Sequence, residues 1–330
     1  MKRLIPKPLH RELVRWRERL SPARRKARRE LARAEAARVD GVAALVAMAG
    51  RGDVRELIVR EGEAELVLHD GRRFRYNPGD RLERLYSLPI TGEFERKETE
   101  WVRRWLKPGM HCVDAGGSFG WYAVLMSQAV GNAGGVRVFE PIPRTAGVLE
   151  GNLKRNACGN AVVHRVALAE ADGQMDLYVP DIGVSGSLRL HDYDDAYEVF
   201  SCPVRALDSM ADEGKWPKID FIKADIEGAE FALLRGAERV IRRDRPLMML
   251  EAQASSTRLF GYEPSALFAW LEGVGYGAAW VSMAGELVAC TGREDTLPDY
   301  NFIFFPEELR SSLIPGRGLA MSVPRLLVKI

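Results

Sequence analysis

The chain has 330 residues, 46% of them hydrophobic and 28% charged, which allows one large domain with a smaller attachment and a well-filled core. Its four cysteines stand far apart without a C-x-x-C pair, so neither a zinc site nor a disulfide framework is expected, and a reduced, cytoplasmic setting fits. The net charge of +2 hides an asymmetry: residues 1–40 carry 14 Lys and Arg against 5 Asp and Glu, and the remainder carries 34 against 41.

In residues 8–20, Leu9, Leu13, Trp16 and Leu20 recur at helical spacing between arginines, and Ser21-Pro22 opens a second helical stretch to about residue 38. This basic helical arm, residues 1–40, is expected to pack on the body or on a second subunit, giving a homo-oligomer. Anionic partners are its alternative use, whether phospholipid headgroups at a membrane surface or nucleic acid. No apolar h-region opens the chain, and Val42–Ala49 is too short to span a bilayer.

Residues 41–90 read as a small antiparallel unit: alternating runs at 54–60 and 64–69, an Asp70-Gly71 hairpin turn and a third strand from Arg72 to Tyr76. A helix over 93–106 then leads into the main domain, residues 91–306. Strands and helices alternate there: 111–115, helix 119–130, 136–139, helix 143–156, 161–167, a polar insertion with strand-like pieces at 174–179 and 199–205, 219–224, helix 229–242, 246–251, helix 264–274, and strands near 278–289 and 300–305. That order predicts an α/β, doubly wound, mostly parallel sheet with an antiparallel last strand. Residues 307–330 read as a tail wrapping the surface.

Four strand ends carry polar or glycine-rich elements that such a topology gathers at one edge. The first is Asp114 with Gly116, Gly117, Ser118, Phe119 and Gly120. The second is Glu140, followed by Pro141 and lying 20 residues past Gly120, the spacing of an acid that reads a ribose. The third is Lys223-Ala224-Asp225-Ile226-Glu227-Gly228-Ala229-Glu230, and the fourth is Leu250-Glu251-Ala252. Ser118 stands where the dinucleotide fingerprint G-x-G-x-x-G needs its second glycine, so the expected ligand is a nucleoside without a pyrophosphate, S-adenosylmethionine first. The turn's amides and the helix start after it suit a carboxylate. Asp114 or Glu95 is placed to hold an ammonium group, and Ala167 and Leu168 are placed to flank an adenine.

The segments Phe94-Glu95, Val113–Tyr122, Phe139-Glu140-Pro141, Asn152-Leu153-Lys154-Arg155-Asn156, Val166-Ala167-Leu168, Gly186-Ser187-Leu188, Ile222–Glu230 and Leu233–Ala237 occur in order over residues 92–252. In that order they resemble the FkbM family of S-adenosylmethionine-dependent methyltransferases. The resemblance implies a Rossmann-like methyltransferase fold and O-methylation of a hydroxyl on a sugar, glycolipid or polyketide. It assigns Asp114, Gly116 and Gly120 to the cofactor turn, Glu140 to the ribose, and Asp225 and Glu227 to the active-site mouth. The family commonly has Ala-Asn after the first turn glycine; here Gly117-Ser118 stands there.

Methyl transfer to a neutral hydroxyl needs in-line positioning and removal of a proton. Asp225 or Glu227 is the candidate base; alternatively Asp225 and Glu251 share a magnesium ion with the substrate oxygens. Lys223 either serves the reaction or ion-pairs with Glu251 or Asp225, and Glu227 either lines the site or caps the following helix. Ser187, His191 and Tyr193, in the polar insertion, are candidates for contact with a small-molecule or glycosidic substrate. Two rival readings are a nucleic-acid methyltransferase using the basic arm and a scaffold with a degenerate site.

Overall fold

The structure, a computed structural model, describes residues 53–60, 63–76, 95–180, 188, 197–294 and 299–314. All of them belong to the compact unit that begins at Gly52. The expected basic arm, the end of the tail, and Ser187, His191 and Tyr193 lie outside the described residues.

The first element is an antiparallel sheet of β1 (Val54–Arg60), β2 (Glu63–Leu68) and β3 (Arg73–Tyr76). Its Asp70-Gly71 turn works through chemistry local to the sequence. Gly71 takes φ 90°, its N–H donates to the Leu68 carbonyl, and the Asp70 carboxylate accepts the Arg72 N–H at 3.0 Å. Period-2 alternation buries Leu66, Leu68, Phe74 and Tyr76.

The main body follows: α1 (Arg96–Trp105), β4 (His111–Ala115), α2 (Trp121–Val130), β5 (Gly135–Phe139), α3 (Pro143–Arg155) and β6 (Ala161–His164). After the insertion come α4 (Leu207–Glu213), β10 (Phe221–Ala224), α5 (Glu230–Gly236), α6 (Glu238–Asp244), β11 (Leu247–Glu251), α7 (Ala254–Thr257) and α8 (Pro264–Gly273). The chain closes with β12 (Tyr276–Val281), β13 (Leu287–Cys290), β14 (Asn301–Pro306) and the short α9 (Arg310–Leu313). The eight-stranded sheet runs β13-β12-β14-β11-β10-β4-β5-β6. From β11 to β6 all neighbours are parallel, and β14 inserts antiparallel between β11 and β12. This is the doubly wound α/β fold expected from the alternation of strands and helices. Its central strands are apolar because helices cover both faces. Phe221, Ile222, Met248 and Leu250 are fully buried, and each such side chain contributes roughly 1.5–3 kcal/mol.

Three local expectations differ. The third strand stops at His164, and Ala167-Leu168 instead form β7, which joins the insertion strands β8 (Gly173–Pro180) and β9 (Tyr197–Arg205) in a separate sheet of order β7-β9-β8. The 229–242 helix is two helices, because the Asp208 carboxylate accepts the Arg239 and Val240 N–H groups at 2.9 Å each and gives α6 its own start. The 278–289 run is a hairpin turning at Gly285, whose N–H donates to Ser282.

Chain direction along the sheet fixes the site. The strands run outward from β4 through β5 to β6, then return to β10 and β11 on the other side of β4. The switch point lies between the C-terminal ends of β4 and β10, where open α/β sheets leave a crevice.

Candidate functional site

A cleft of about 290 Å³ lies at this switch point. Of the residues singled out from the sequence, Glu95, Asp114, Gly116, Gly117, Ser118, Phe119, Glu140, Pro141, Ala167, Leu168, Lys223, Asp225, Glu227 and Glu251 all line it. Gly120 does not; it caps α2 and turns its back to Leu149. Tyr122, Ile142, Leu177 and Leu188 complete the wall. Leu177 and Leu188 come from the insertion, two apolar side chains that were not among the polar candidates expected there.

The turn after β4 passes so close to the next strand end that only glycine fits. A Cβ on Gly116 would stand 2.0 Å from the Asp225 carbonyl oxygen, and one on Gly117 would stand 2.3 Å from Val138. The turn's amides, expected to be open to a ligand, have partners inside the chain. Gly116 and Gly117 both donate to the Phe139 carbonyl at 3.0 Å, Ser118 donates to the Glu140 carboxylate at 2.9 Å, and Gly120 donates to Gly117 at 2.8 Å. The crossing of β4 and β5 supplies those acceptors, which sequence spacing does not show.

Glu140 spans two elements, its other oxygen accepting the Ile142 N–H at 2.9 Å. Burial pushes its pKa up to about 7 against the pull of those two amides. Each carboxylate oxygen keeps a second lone pair for a ligand hydroxyl. Asp114, paired in register with Lys223 on β10, is buried with neither oxygen in a hydrogen bond. Burial raises its pKa to about 6; Lys223 pulls it down, Asp225 pushes it up, and the Ala123 amide helps the charged form without meeting hydrogen-bond geometry. Glu95 adopts a left-handed conformation, φ 42°, at the start of α1 and accepts the Tyr122 hydroxyl at 2.7 Å. Burial, then the charge of Asp225, raises its pKa to about 7.

On β10, beside Asp114, the Lys223 ammonium lies 3.3 Å from the Asp225 carboxylate, one of the ion pairs expected from the sequence. Burial works against the lysine's charge, but Asp225, Asp114 and Glu95 outweigh it and hold the pKa above its ordinary value. Glu251 is pushed up to about 10 by burial and then by Asp225, Glu230 and Glu227, and one of its oxygens is buried without a partner. Burial and the neighbouring acids favour its protonated form. Glu227 sits in the loop before α5 with φ 54°. The acid that ties that loop is Glu230, which accepts the Ile226 N–H at 2.8 Å. Glu230 is fully buried with its second oxygen unpartnered, and burial raises its pKa to about 8. Glu230 closes the third polar element of the sequence, but its spacing gives it no role apart from Asp225 and Glu227.

The magnesium expectation does not fit these residues. A hard dication asks for several ionised oxygens, whereas Asp225 already faces the Lys223 ammonium. Among the described residues, no group of three or more His, Cys, Asp or Glu side chains gathers to hold a metal ion. Nor, among them, is any helix long and apolar enough to cross a membrane.

Among solved structures, the chain is similar to the methyltransferase FkbM from Methylobacillus flagellatus KT at 17% identity and a TM-score of 0.38. That match covers 68% of this chain and 55% of the other, so the chain spans about half the length of that protein. A SAM dependent methyltransferase from Aquifex aeolicus matches at 16% identity and a TM-score of 0.39, over 68% of this chain and 96% of that one. A SAM-dependent O-methyltransferase from Thermotoga maritima matches at 11% identity and a TM-score of 0.37, over 76% and 84%. These overlaps add nothing to the strand order itself. No curated protein matches the chain. The sequence does match the family model of the methyltransferase FkbM domain, over residues 114–277. That span runs from Asp114 through the glycine turn, Glu140, the insertion and the Asp225 loop to β12, and over these residues the chain carries an FkbM methyltransferase domain.

Proposed function

We propose that the chain is an S-adenosylmethionine-dependent O-methyltransferase acting on a hydroxyl of a sugar, glycolipid or polyketide-type small molecule. The observation that carries this reading is the gathering of Glu140, Asp114, Lys223, Asp225 and Glu251 around one cleft at the switch point of the sheet.

Glu140 would accept the ribose hydroxyls, and the unpartnered Asp114 carboxylate, with Glu95 beside it, would hold the ammonium of the methionine part. Ile142, Pro141, Ala167 and Leu168 give an apolar wall for the adenine. Bound there, S-adenosylmethionine supplies a methyl group on a positively charged sulfur. Asp225, a third exposed and ion-paired with Lys223, is the carboxylate placed to take the proton from the acceptor hydroxyl as its oxygen attacks. Glu251, carrying its proton, donates a hydrogen bond that orients the acceptor rather than serving as base. Glu227 lines the same mouth. The acceptor is a neutral, hydroxyl-rich molecule, and the arm at residues 1–40 remains the candidate contact with a second copy.

Isothermal titration with S-adenosylmethionine and S-adenosylhomocysteine tests the cofactor. Binding in the micromolar range, lost in Glu140→Ala, is the expected result; no heat with either ligand overturns the reading. Incubation with a panel of glycosides, read by mass spectrometry for a methyl gain at oxygen, then separates O-methylation from methylation elsewhere.

A further inference from the structure

The turn after β4 holds one strained residue, Ser118, between two glycines that adopt positive φ freely. Gly116, Ser118 and Gly120 all take left-handed conformations, with φ 80°, 49° and 99°. A run of this kind keeps its shape only where its surroundings determine it from several sides. The amide side is fixed by Phe139 and Glu140. The carbonyl side is gripped from elsewhere. The Phe119 carbonyl accepts the Asn152 side-chain amide at 2.8 Å, and the Trp121 carbonyl accepts the Arg72 guanidinium at 3.0 Å. These two carbonyls bracket Gly120. Neither Asn152 nor Arg72 reaches the cleft, and both are buried.

Both side chains also belong to the docking of the small N-terminal sheet. Asn152, in the last turn of α3, and Asn156, its C-terminal cap, both face β3. The Asn152 side chain accepts the Arg75 N–H at 2.9 Å, and that of Asn156 accepts the Arg73 N–H at 2.8 Å while donating to the Arg73 carbonyl at 2.6 Å. The spacing works because four helical residues rise about 6 Å and two strand residues about 6.7 Å. Arg72, at the turn between β2 and β3, pairs with Asp70 at 2.8 Å and lays its guanidinium 3.9 Å from the Trp121 ring centre. Phe74 of β3 packs on the same two residues, 5.7 Å from Trp121 and 5.5 Å from Phe119 between ring centres. An apolar face alone would dock the sheet; here two buried polar side chains are committed to the carbonyls of the turn.

We propose that the small sheet is a working part of the site: Asn152 and Arg72 are positioning residues that hold the Gly116–Trp121 turn in the shape the cofactor requires. The proposal rests on the cofactor reading above. Asn156 anchors the same strand without touching the turn, so Asn156→Ala separates bracing from mere docking.

The experiment uses the full chain, measuring S-adenosylhomocysteine affinity by calorimetry and hydrogen exchange of the amides at 116–120 without ligand. Asn152→Ala and Arg72→Lys should each weaken binding about tenfold and speed exchange in the turn, the effect of one lost buried hydrogen bond. Asn156→Ala should lower the melting temperature as Asn152→Ala does, yet leave both readings within about twofold of wild type. The proposal is overturned if Asn152→Ala and Arg72→Lys keep wild-type affinity and turn exchange. If wild type binds no S-adenosylhomocysteine, the cofactor reading fails by itself and turn exchange alone decides the bracing. If Asn152→Ala does not fold, Arg72→Lys, which keeps its charge beside Asp70, decides by the same two measurements.

Discussion

Lys223 and Asp225 face each other at 3.3 Å, and Lys223 is the one basic side chain among the described residues of a cleft lined by Glu95, Asp114, Glu140, Asp225, Glu227 and Glu251. One ammonium thus restrains several carboxyl groups at once. Replacing it, as in Lys223→Met, should let the pKa of Asp114 climb above about 6 and that of Glu95 above about 7. S-adenosylhomocysteine affinity at pH 7 should fall by roughly tenfold or more and recover in part at pH 9. Calorimetry at the two pH values checks this; an equal loss at both would mean that the lysine contacts the ligand instead.

A related expectation concerns the wild-type protein. Asp114 and Glu140 must be ionised to accept hydrogen bonds from a bound ammonium and ribose, and burial holds them near pKa values of about 6 and 7. The complex therefore binds fewer protons than the free protein, and affinity should rise with pH between roughly 5.5 and 8, by up to about tenfold per pH unit for each proton released. Asp114→Asn should flatten the lower half of that rise. A pH-independent dissociation constant would contradict the assignment of these two acids.

Stability should move the opposite way. Glu230 is pushed up to about 8 by burial from an ordinary value of 4.5, so the folded chain holds a proton that the unfolded chain releases above about pH 4.5. The contribution of this group is whole below that value and is lost as pH rises through about 8. Glu230→Gln, whose amide oxygen can still accept the Ile226 N–H, should melt with the wild type at pH 5. At pH 9 it should be more stable, on the order of 1–3 kcal/mol. Thermal melts at both pH values decide; a variant weaker at pH 9 would show that the carboxylate, not the neutral acid, is the folded form.

The turn offers a test of its own sequence. Ser118 holds φ 49°, a conformation that asparagine tolerates better than serine. Ser118→Asn should therefore stabilise by about 0.5 kcal/mol while its backbone N–H keeps the Glu140 bond. Gly117→Ala should destabilise by about 1–3 kcal/mol, because the new Cβ would meet Val138 at 2.3 Å. Gly116→Ala should be worse, since the atom 2.0 Å away is the Asp225 backbone carbonyl, which cannot rotate aside. Denaturant unfolding of the three variants gives the ranking; a tolerated Gly116→Ala would refute the close crossing of β4 and β10.

The sheet and the position of its edge were legible because they follow from alternation and handedness. A buried strand must be apolar, a crossover must return right-handed, and so Asp114, Glu140, Lys223 and Glu251 come to one end. What sequence could not show was how the groups there spend their hydrogen bonds. The turn's amides looked open until β5 placed the Phe139 carbonyl and Glu140 over them. Glu227 could line the site or cap the helix; it lines the cleft, and Glu230, three residues on, takes the Ile226 amide. Ala167 and Leu168 line the cleft but from a second sheet, because a two-residue strand pairing with Val204 and Arg205 leaves no periodicity to read.

The side chains of Asn152 and Asn156 carry a consequence for solubility. β3 is the edge of its sheet, and the amide groups it would otherwise show to solvent are those of Arg73 and Arg75. A helix that presents two carboxamides to them covers the edge without adding a strand, which denies it to a strand of another molecule. The opposite edge, β1, is guarded differently, by an irregular register between Val54 and Glu56 and by charged Arg55, Glu56 and Arg60. Loss of both asparagines should therefore show first as concentration-dependent association, at temperatures where the chain is still folded.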